Sequence, residues 1–416
     1  MKVIFSHPTG NANVRAAAYS LAEANILAEF YTTIAAFPGS VLDRLGGISL
    51  LSEIRRRRYN SVLRPFTRTY PWVEMGRLLT SRAGFSSLST HEAGVFCIDA
   101  VYRNLDQRIS LNLKQKARRQ ISALYGYEDG ALRSFQEMKR LGGKCFYDLP
   151  TGYWRAGRLL LQAEQERWPE WLPTLTGFHD SESKLARKDE ELHLADCIIV
   201  ASQFTAKTLE HYPGTLAPIK VIPYGFPAVG ETRIFQKCAG RKLKLLYVGR
   251  LSQQKGVANL FAAVDKFKSH VELTLVGHKA SDECPALDAA VRKHRWIPTL
   301  PHEDILQLMR EHDVLVFPSL FDGFGLVITE AMSQGTPVVA TERCAGPDFI
   351  NDGQNGWLIE AGVTESLEAA IERLLLQPGL IAAAGHEAVE TARSRPWKVY
   401  GYELANTVKQ HLLQYN

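Results

Sequence analysis

The sequence lacks long apolar segments and paired cysteines, and both absences limit what the chain can be. No run approaches the ~18 apolar residues that a membrane-spanning helix needs, so we expect no such helix. The six cysteines are scattered without a C-x-x-C pair. Neither a zinc site nor a disulfide framework is therefore predicted, and a reducing cytoplasm is favoured. The stretch Met1–Ser6 has no apolar segment long enough for a signal peptide.

The sequence also lacks internal repeats and low-complexity tracts. Its 416 residues are 45% hydrophobic and 22% charged, which is an ordinary composition for a folded globular protein. That length predicts two domains, or three, each able to bury its own core.

Positive charge is concentrated in one part of the chain. Between Arg55 and Arg119 there are fourteen Lys and Arg against four acids, with aromatic residues such as Tyr59 and Trp72 among them. Such a segment can be a solvated face, can dock on anionic lipid headgroups or can face nucleic acid. We keep a peripheral contact with the inner face of a membrane as an alternative to a solvated face, and predict no nucleic-acid partner.

Short apolar runs alternate with amphipathic stretches in both halves of the chain. This alternation predicts βαβ units and parallel sheets, that is, an α/β fold. The pattern is interrupted by a linker at 226–241 and restarts at Leu243–Val248. Two open sheets of this kind bind ligands beyond the carboxyl ends of their strands. We therefore expect the loops 7–11, 249–256 and 319–325 to converge.

The stretch 318–337 organises the second half. A buried strand, Val314–Phe317, precedes a turn with Gly323 and Gly325, and a helical pattern begins at Leu326. Because the N–H groups at a helix amino terminus are free and the dipole is positive there, this arrangement predicts an anion site. Asp322 and Glu330 flank the turn, and their carboxylates can bind hydroxyls of the same ligand. The description fits a sugar nucleotide. In the alternative interpretation Asp322 caps the helix and Glu330 is a surface acid.

Two cations precede this stretch by about seventy residues. Arg250 and Lys255 lie in the segment Gly-Arg-Leu-Ser-Gln-Gln-Lys-Gly, which follows another predicted strand. A guanidinium and an ammonium can neutralise the charge that grows on a departing diphosphate. A pair of unrelated surface cations is the alternative.

These motifs resemble those of the retaining, family-four glycosyltransferases of GT-B fold (glycosyl transferases group 1). Asp322-x7-Glu330 is similar to the Glu-x7-Glu motif of that family, with Asp in place of the first Glu, and residues 249–256 resemble its G-R-x4-K-G motif. The resemblance carries specific motifs over roughly Asp196 to Trp397, and covers the first half by architecture alone.

The resemblance implies two facing Rossmann-like, doubly wound domains. Residues 1–222 would form an acceptor-binding domain and residues 223–395 a nucleotide-sugar-binding domain. Residues 396–416 would form a helix that packs back on the first domain.

The activity that the resemblance implies is a hexosyltransferase-like, retaining transfer. The sugar of a nucleotide diphosphate sugar would move to a hydroxyl of a saccharide or lipid-linked acceptor, in polysaccharide or glycoconjugate biosynthesis. Arg250 and Lys255 would hold the diphosphate, Asp322 the donor sugar and Glu330 the ribose hydroxyls. The remaining residues expected at the donor are Gly10, Gly323, Phe324, Gly325 and Leu326.

No Asp-x-Asp pair, the metal signature of another glycosyltransferase fold, occurs in the sequence. Because Arg250 and Lys255 can replace a divalent cation, we predict that no metal and no other cofactor is required. The family often has a first-domain histidine near the donor sugar. His7 is a candidate, with an uninvolved loop histidine as the alternative. Tyr125, Tyr127 and Asp148 would line the acceptor site or belong to the core.

Two other functions stay open. One keeps the fold and changes the chemistry, to a sugar-nucleotide epimerase or to a phosphorylase, although nothing marks the pyridoxal-phosphate lysine that a phosphorylase needs. The other is a non-catalytic sugar-nucleotide-binding protein.

Overall fold

A computed structural model describes residues 1–45, 57–115, 121–231, 233–235 and 240–414. It contains thirteen strands among these residues, and their bounds are as follows: β1 Val3–Ser6, β2 Leu27–Thr32, β3 Thr67–Thr69, β4 Ala123–Tyr127, β5 Lys144–Leu149, β6 Cys197–Val200, β7 Ile219–Val221, β8 Leu243–Val248, β9 Val271–Val276, β10 Arg295–Ile297, β11 Val314–Phe317, β12 Val338–Thr341 and β13 Gly356–Ile359.

The α-helices of the same residues alternate with these strands. Their bounds are α1 Ala12–Glu23, α2 Val41–Leu45, α3 Trp72–Ala83, α4 Ile98–Gln115, α5 Leu132–Arg140, α6 Trp154–Arg167, α7 Glu182–Leu194, α8 Gln203–Thr208, α9 Val257–Lys266, α10 Pro285–Val291, α11 His302–Glu311, α12 Leu326–Ser333, α13 Gly346–Phe349, α14 Thr364–Leu376, α15 Gly379–Ser394 and α16 Trp397–Gln414. No helix in this part of the chain is both long enough and apolar enough to cross a membrane.

The strands form two separate sheets. The first has the order β3-β2-β1-β4-β5-β6-β7 and the second the order β10-β9-β8-β11-β12-β13. Every pairing between neighbouring strands is parallel. Both sheets therefore have the doubly wound order, and the predicted α/β fold is confirmed. In each sheet the strand order reverses between two central strands: β1 and β4 in the first, β8 and β11 in the second. Ligands of such sheets bind at this switch point.

Apolar residues cover both faces of each sheet, as expected for parallel strands. Val314, Leu315 and Val316 of the central strand β11 are fully buried, alternating between the two cores of the second sheet. The first sheet has a core on each face as well. This double burial explains why the central strands are continuous apolar runs in the sequence.

The last helix returns to the first domain. Tyr400, Leu404, Val408 and Leu412 of α16 are buried in a core that also contains Val14 and Leu21 of α1. These four side chains recur at helical spacing, which is the pattern from which this helix was predicted. The crossing of the terminal helix is thus confirmed.

Some elements were not predicted from the sequence. They are β3 in the stretch 41–90, for which the sequence favours a basic helix and a long loop without bounds, and α6 and α7 between residues 154 and 194. A turn after α6, at Pro169–Thr174, crosses to the second sheet, where Trp171 is buried in the core beside Phe261. A division of the chain at residues 222 and 395 stays a prediction. This turn precedes residue 222 in sequence but packs in the core of the second sheet.

Candidate active site

The second sheet places two loops side by side at its switch point. One loop follows β8 and carries Arg250 and Lys255, and the other follows β11 and carries Asp322. Leu320 donates its backbone N–H to the carbonyl of Gln254 (2.9 Å), and the side-chain amide of Gln254 donates to the carbonyl of Phe321 (3.1 Å). The motifs that lie about seventy residues apart in sequence are thus held together by one backbone hydrogen bond and one from the Gln254 side chain.

An ion pair joins the two loops directly. The ammonium of Lys255 contacts the carboxylate of Asp322, and both side chains are one-fifth exposed. The other carboxylate oxygen of Asp322 accepts the backbone N–H of Phe324 at 3.1 Å. Lys255 also lies 5.7 Å from the centre of the Phe317 ring. The structure therefore brings Lys255 and Asp322 together, and their role at a donor stays a prediction.

The loop after β8 is built around a buried amide. Gln253 donates through Nε2 to Glu164 (2.8 Å) and to Asn259 (3.1 Å), and its Oε1 accepts the backbone N–H of Ala258 at 2.9 Å. Gly256 ends the loop with a φ of 69°, and a Cβ there would lie 2.0 Å from the carbonyl oxygen of Pro318. Only glycine permits this approach.

Arg250 lies at the exposed side of the same loop. Its Nη2 donates to the carbonyl of Ala280 at 3.1 Å, and its own carbonyl accepts the hydroxyl of Tyr247 at 2.8 Å. Because this single hydrogen bond uses one of five guanidinium donors, the rest of the fork stays available to a ligand.

The turn after Asp322 is pressed against the first domain. The carbonyl of Gly323 accepts the hydroxyls of Ser202 (2.6 Å) and Thr205 (2.9 Å). A Cβ on Gly323 would lie 2.0 Å from the carbonyl oxygen of Pro150, so no other residue fits. The turn thus lies in the gap between the two domains, in contact with both.

Phe324 and Leu326 contribute to this turn mainly through their backbone. The Phe324 ring is 3% exposed and packs on Tyr224, with ring centres 4.7 Å apart. Leu326 is partly buried against the same core. Gly325 precedes α12 with a left-handed φ of 81°. The first N–H groups of α12 have no partner within the helix and can bind an anion.

Glu330 lies one turn into α12 and faces His302 at the start of α11. Nδ1 of His302 is 3.7 Å from Oε1 of Glu330, and these side chains are 58% and 21% exposed. Burial raises the pKa of Glu330, and the neighbouring imidazole acts against that rise. His302 was not predicted as a site residue. Its position at the end of a loop after a short strand, Trp296-Ile297, is the signal that could have indicated it.

The first domain contributes the loop that follows β1. His7 is 5% exposed, its Nδ1 accepts the backbone N–H of Thr9 at 3.0 Å, and its ring lies 4.6 Å from that of Tyr127. Burial lowers the pKa of His7 to about 4, so its imidazole is neutral at pH 7. Gly10 lies in the same loop against Tyr59 and accepts a hydrogen bond from Arg15.

Tyr125, Tyr127 and Asp148 do not line an open cleft. All three are at most 2% exposed, and the hydroxyl of Tyr125 donates to Asp148 at 2.5 Å. Burial raises the pKa of Asp148 to about 7, whereas the tyrosine hydroxyls act to lower it. These residues belong to the core, which was the alternative interpretation.

A polar cluster that was not predicted lies at the ends of β4 and β5. The Thr151 hydroxyl donates to Glu128 at 2.8 Å, and Nζ of Lys188 is 3.4 Å from the same carboxylate. Thr151 also touches the turn of the second domain, since a Cβ on Gly323 would be 2.6 Å from its Cα. The acids Glu128-Asp129 directly after a strand were the available signal.

Within the basic segment, Arg57 has a structural role. It is 5% exposed and its guanidinium pairs with the buried carboxylate of Glu74. Arg58 is exposed and lies 3.2 Å from Asp43. The predicted Arg55 and Arg56 lie outside the described residues. Arg57 therefore does not contribute to an exposed basic surface of the segment 55–119.

The chain is similar in sequence to one protein family and to several of its relatives. Residues 231–394 match the family model described as "Glycosyl transferases group 1". A glycogen synthase from Mycobacterium tuberculosis is 30% identical over 225 residues, which cover 52% of this chain and 52% of the relative. A D-inositol 3-phosphate glycosyltransferase from Corynebacterium jeikeium is 26% identical over 291 residues, which cover 61% of this chain and 70% of the relative. The chain spans about half the length of the glycogen synthase that it matches.

Solved structures share the whole architecture. A sucrose-phosphate synthase from Thermosynechococcus elongatus superposes with a TM-score of 0.69 at 18% identity, covering 100% of both chains. Anabaena HepE, solved in complex with UDP-glucose, has a TM-score of 0.63 at 17% identity and covers 99% of this chain and 100% of its own. These likenesses concern the fold, and the predicted GT-B arrangement of two facing Rossmann-like domains is confirmed.

The buried, neutral His7 makes stability depend on pH. Its pKa is lower in the folded state, about 4, than the unfolded value of 6.5, so the unfolded chain binds a proton first. Its contribution is therefore intact above pH 6.5 and falls, by at most ~1.4 kcal/mol per pH unit, as the pH decreases towards 4. We expect His7→Asn, which keeps an acceptor for Thr9, to flatten the decrease in the urea-unfolding free energy over this range.

The control is the exposed His179→Asn. It should leave the pH dependence of the unfolding free energy as in the parent chain. Equal slopes for the parent chain and the His7 variant would contradict a neutral, buried imidazole.

Proposed function

Because residues 231–394 belong to the glycosyl transferases group 1 family, we propose that this chain is a retaining glycosyltransferase. It moves the sugar of a nucleotide diphosphate sugar to a hydroxyl of a saccharide or lipid-linked acceptor. The observation that carries the proposal is the meeting of Lys255, Asp322 and the α12 amino terminus at the switch point of the second sheet.

The donor diphosphate is assigned to the cations and the helix terminus. Arg250 offers a guanidinium fork and Lys255 an ammonium, and each charge-assisted hydrogen bond contributes about 1.5–3 kcal/mol. The amino terminus of α12 adds about 0.3–1 kcal/mol. The cations therefore dominate, and they stabilise the charge that develops as the diphosphate leaves.

The two acids are assigned to hydroxyl groups of the donor. The side chain of Glu330, on α12, is 21% exposed, and we assign its carboxylate to the ribose hydroxyls. Asp322 is bonded to Lys255 and to the N–H of Phe324, in the turn that touches the first domain, which suits a contact with the transferred sugar. Lys255 and the N–H of Phe324 fix the orientation of that carboxylate, so the shorter side chain of Asp is positioned before the donor arrives.

The transfer needs no protein nucleophile. The acceptor oxygen forms its bond to the anomeric carbon on the face from which the diphosphate leaves, and the bond from that carbon to the phosphate oxygen breaks. The acceptor proton passes to the leaving phosphate oxygen. His7 is neutral and enclosed, so we give it no catalytic part.

The acceptor is assigned to the first-domain side of the gap. Glu128 and Lys188 lie there beside Thr151, which touches the turn at Gly323. Burial raises the pKa of Glu128 and the Lys188 ammonium acts to lower it. A carboxylate and an ammonium side by side can orient a polyhydroxylated acceptor.

A non-catalytic sugar-nucleotide-binding protein and an epimerase are the competing functions, and an activity assay separates them. We expect free nucleoside diphosphate to appear from a UDP- or GDP-sugar panel only when a saccharide or lipid-linked acceptor is added, as measured by coupled detection of the diphosphate. Donor binding without release would favour the binding protein, and conversion of the donor sugar without an acceptor would favour the epimerase.

The site assignment is tested by removing single charges. Lys255→Ala and Glu330→Ala should each lower kcat/KM at least ~10-fold, since each loses a charged hydrogen bond to the donor. Lys266→Ala, which breaks an exposed ion pair with Glu368 in the same domain, and Arg58→Ala serve as controls and should change it less than ~3-fold. If all four variants behaved alike, the donor site would be elsewhere.

We propose that catalysis is independent of metal ions, because Arg250 and Lys255 supply the positive charge. Among the described residues, one set of metal-type ligands, His91, Glu92 and Asp180, lies within 4.8 Å. Lys184 and Lys188 already contact Asp180, which disfavours a further cation there.

The predicted outcome is that EDTA leaves the initial rate of diphosphate release unchanged. Loss of activity in EDTA with recovery on adding Mg²⁺ or Mn²⁺ would contradict the assignment.

The cytoplasmic location of the protein also stays a prediction.

A further inference from the structure

Exposed apolar side chains are concentrated in one part of the first domain. More than half of the large apolar side chains that are exposed in the described chain lie between Val41 and Leu111. Trp72 is 78% exposed, Leu79 64%, Val95 63% and Phe85 60%. Apolar residues scattered singly over a surface need no explanation, but such a concentration marks an interaction site.

Helix α3 is the centre of this region, and its polarity is inverted. Trp72, Met75 and Leu79 recur at helical spacing and point to solvent. The opposite side of the helix carries Glu74, which is completely buried and is bonded to Arg57 and Arg77. An ordinary surface helix hides its apolar side and exposes its charges. In α3 an internal salt bridge holds the apolar side outward.

Exposed arginines precede this apolar face in the sequence. Arg64 and Arg68 lie on a 3-10 helix and on β3, and Arg68 is 55% exposed, with its Nε 3.5 Å from the carboxylate of Glu29. Because β3 is the edge strand of the first sheet, α3 and these arginines lie at the outer edge of the domain. On the following helix, α4, Arg103 is 51% exposed.

We propose that the α3 face, defined as Trp72, Met75 and Leu79 with Arg64 and Arg68, docks on an anionic lipid surface. Apolar side chains would enter the boundary of headgroups and acyl chains, and the arginines would pair with lipid phosphates. A second copy of the chain is a poorer occupant, since a two-fold contact would bring the arginines of both copies together. The inference goes beyond the proposed transfer and does not depend on it.

Docking through the α3 face would bring the enzyme to the membrane in which a lipid-linked acceptor is anchored. Docking through the first domain leaves the second domain free to hold the donor. The membrane contact kept open for the basic segment 55–119 is thereby narrowed to the surface around α3, while the buried Arg57 is excluded from it.

Co-flotation of the full chain with vesicles tests the proposal without any nucleotide sugar. We expect the chain to bind vesicles of phosphatidylcholine with about one third phosphatidylglycerol, and to bind less as salt is raised. Trp72→Ser with Leu79→Ser should weaken binding more than ~10-fold. Arg64→Gln with Arg68→Gln should weaken it about five-fold per arginine, and only on anionic vesicles.

The control is Leu376→Ser with Tyr402→Ser, which removes apolar side chains that are 76% and 66% exposed elsewhere. This variant should bind vesicles like the parent chain. Light scattering of each variant without lipid measures whether the α3 face binds a second copy of the chain instead. The proposal fails if the parent chain does not bind anionic vesicles, if the control loses as much binding as the α3 variant, or if the α3 variant changes only self-association. Failure of the vesicle assay would leave acceptor-dependent diphosphate release untouched, so the two proposals fail separately.

Discussion

The ion pair between Lys255 and Asp322 is the interaction on which the arrangement of the site depends. It joins the loops that follow β8 and β11, the two strands between which the order of the second sheet reverses. The doubly wound fold brings these loops to one edge, but it does not determine which side chains face each other. The ion pair and the hydrogen bonds of Gln254 do that. A diphosphate entering the site would meet an ammonium whose carboxylate partner is already held by the N–H of Phe324.

Residues that precede the linker hold the same site from outside. Ser202 and Thr205 bind the carbonyl of Gly323, and Glu164 and Thr174 bind Gln253. Both loops of the donor site are therefore supported by the first half of the chain. Because both halves of the chain hold the donor-site loops, a shift of one half relative to the other would directly change the shape of the donor site.

Much of the fold followed from the sequence because its central strands are buried on both faces. Val314–Phe317 is a continuous apolar run and Leu243–Val248 is one interrupted only by Lys244; their shortness and the glycine or proline that follows them favour strands over buried helices. The apolar spacing of α16 indicated its buried side equally well. Asp322, Glu330, Arg250 and Lys255 were named from spacing and resemblance, and their roles at a donor stay predictions.

The other elements and contacts could not be predicted from the sequence, for physical reasons. The sequence favours a basic helix somewhere in 41–90 but does not give the bounds of α3, because Trp72, Met75 and Leu79 face solvent while Glu74 is buried, which is the reverse of the pattern that sequence analysis uses. His302 and Glu128 contact partners distant in sequence, Glu330 and Lys188, and spacing does not report such contacts. Asp148 and Tyr125 follow the rule for strand ends, yet they form a closed hydrogen bond inside the core instead of lining the gap.

The turn at Pro169–Thr174 has a consequence for how the two halves can be separated. Trp171 fills a position in the second core beside Phe261, although it precedes the linker by more than fifty residues. A fragment that begins after that linker would leave an empty slot beneath α9 and remove Thr174 from the backbone N–H of Gln253. The two halves are thus not interchangeable modules: a donor half grafted onto a foreign acceptor half must bring this tryptophan with it, or find another large side chain to fill the slot.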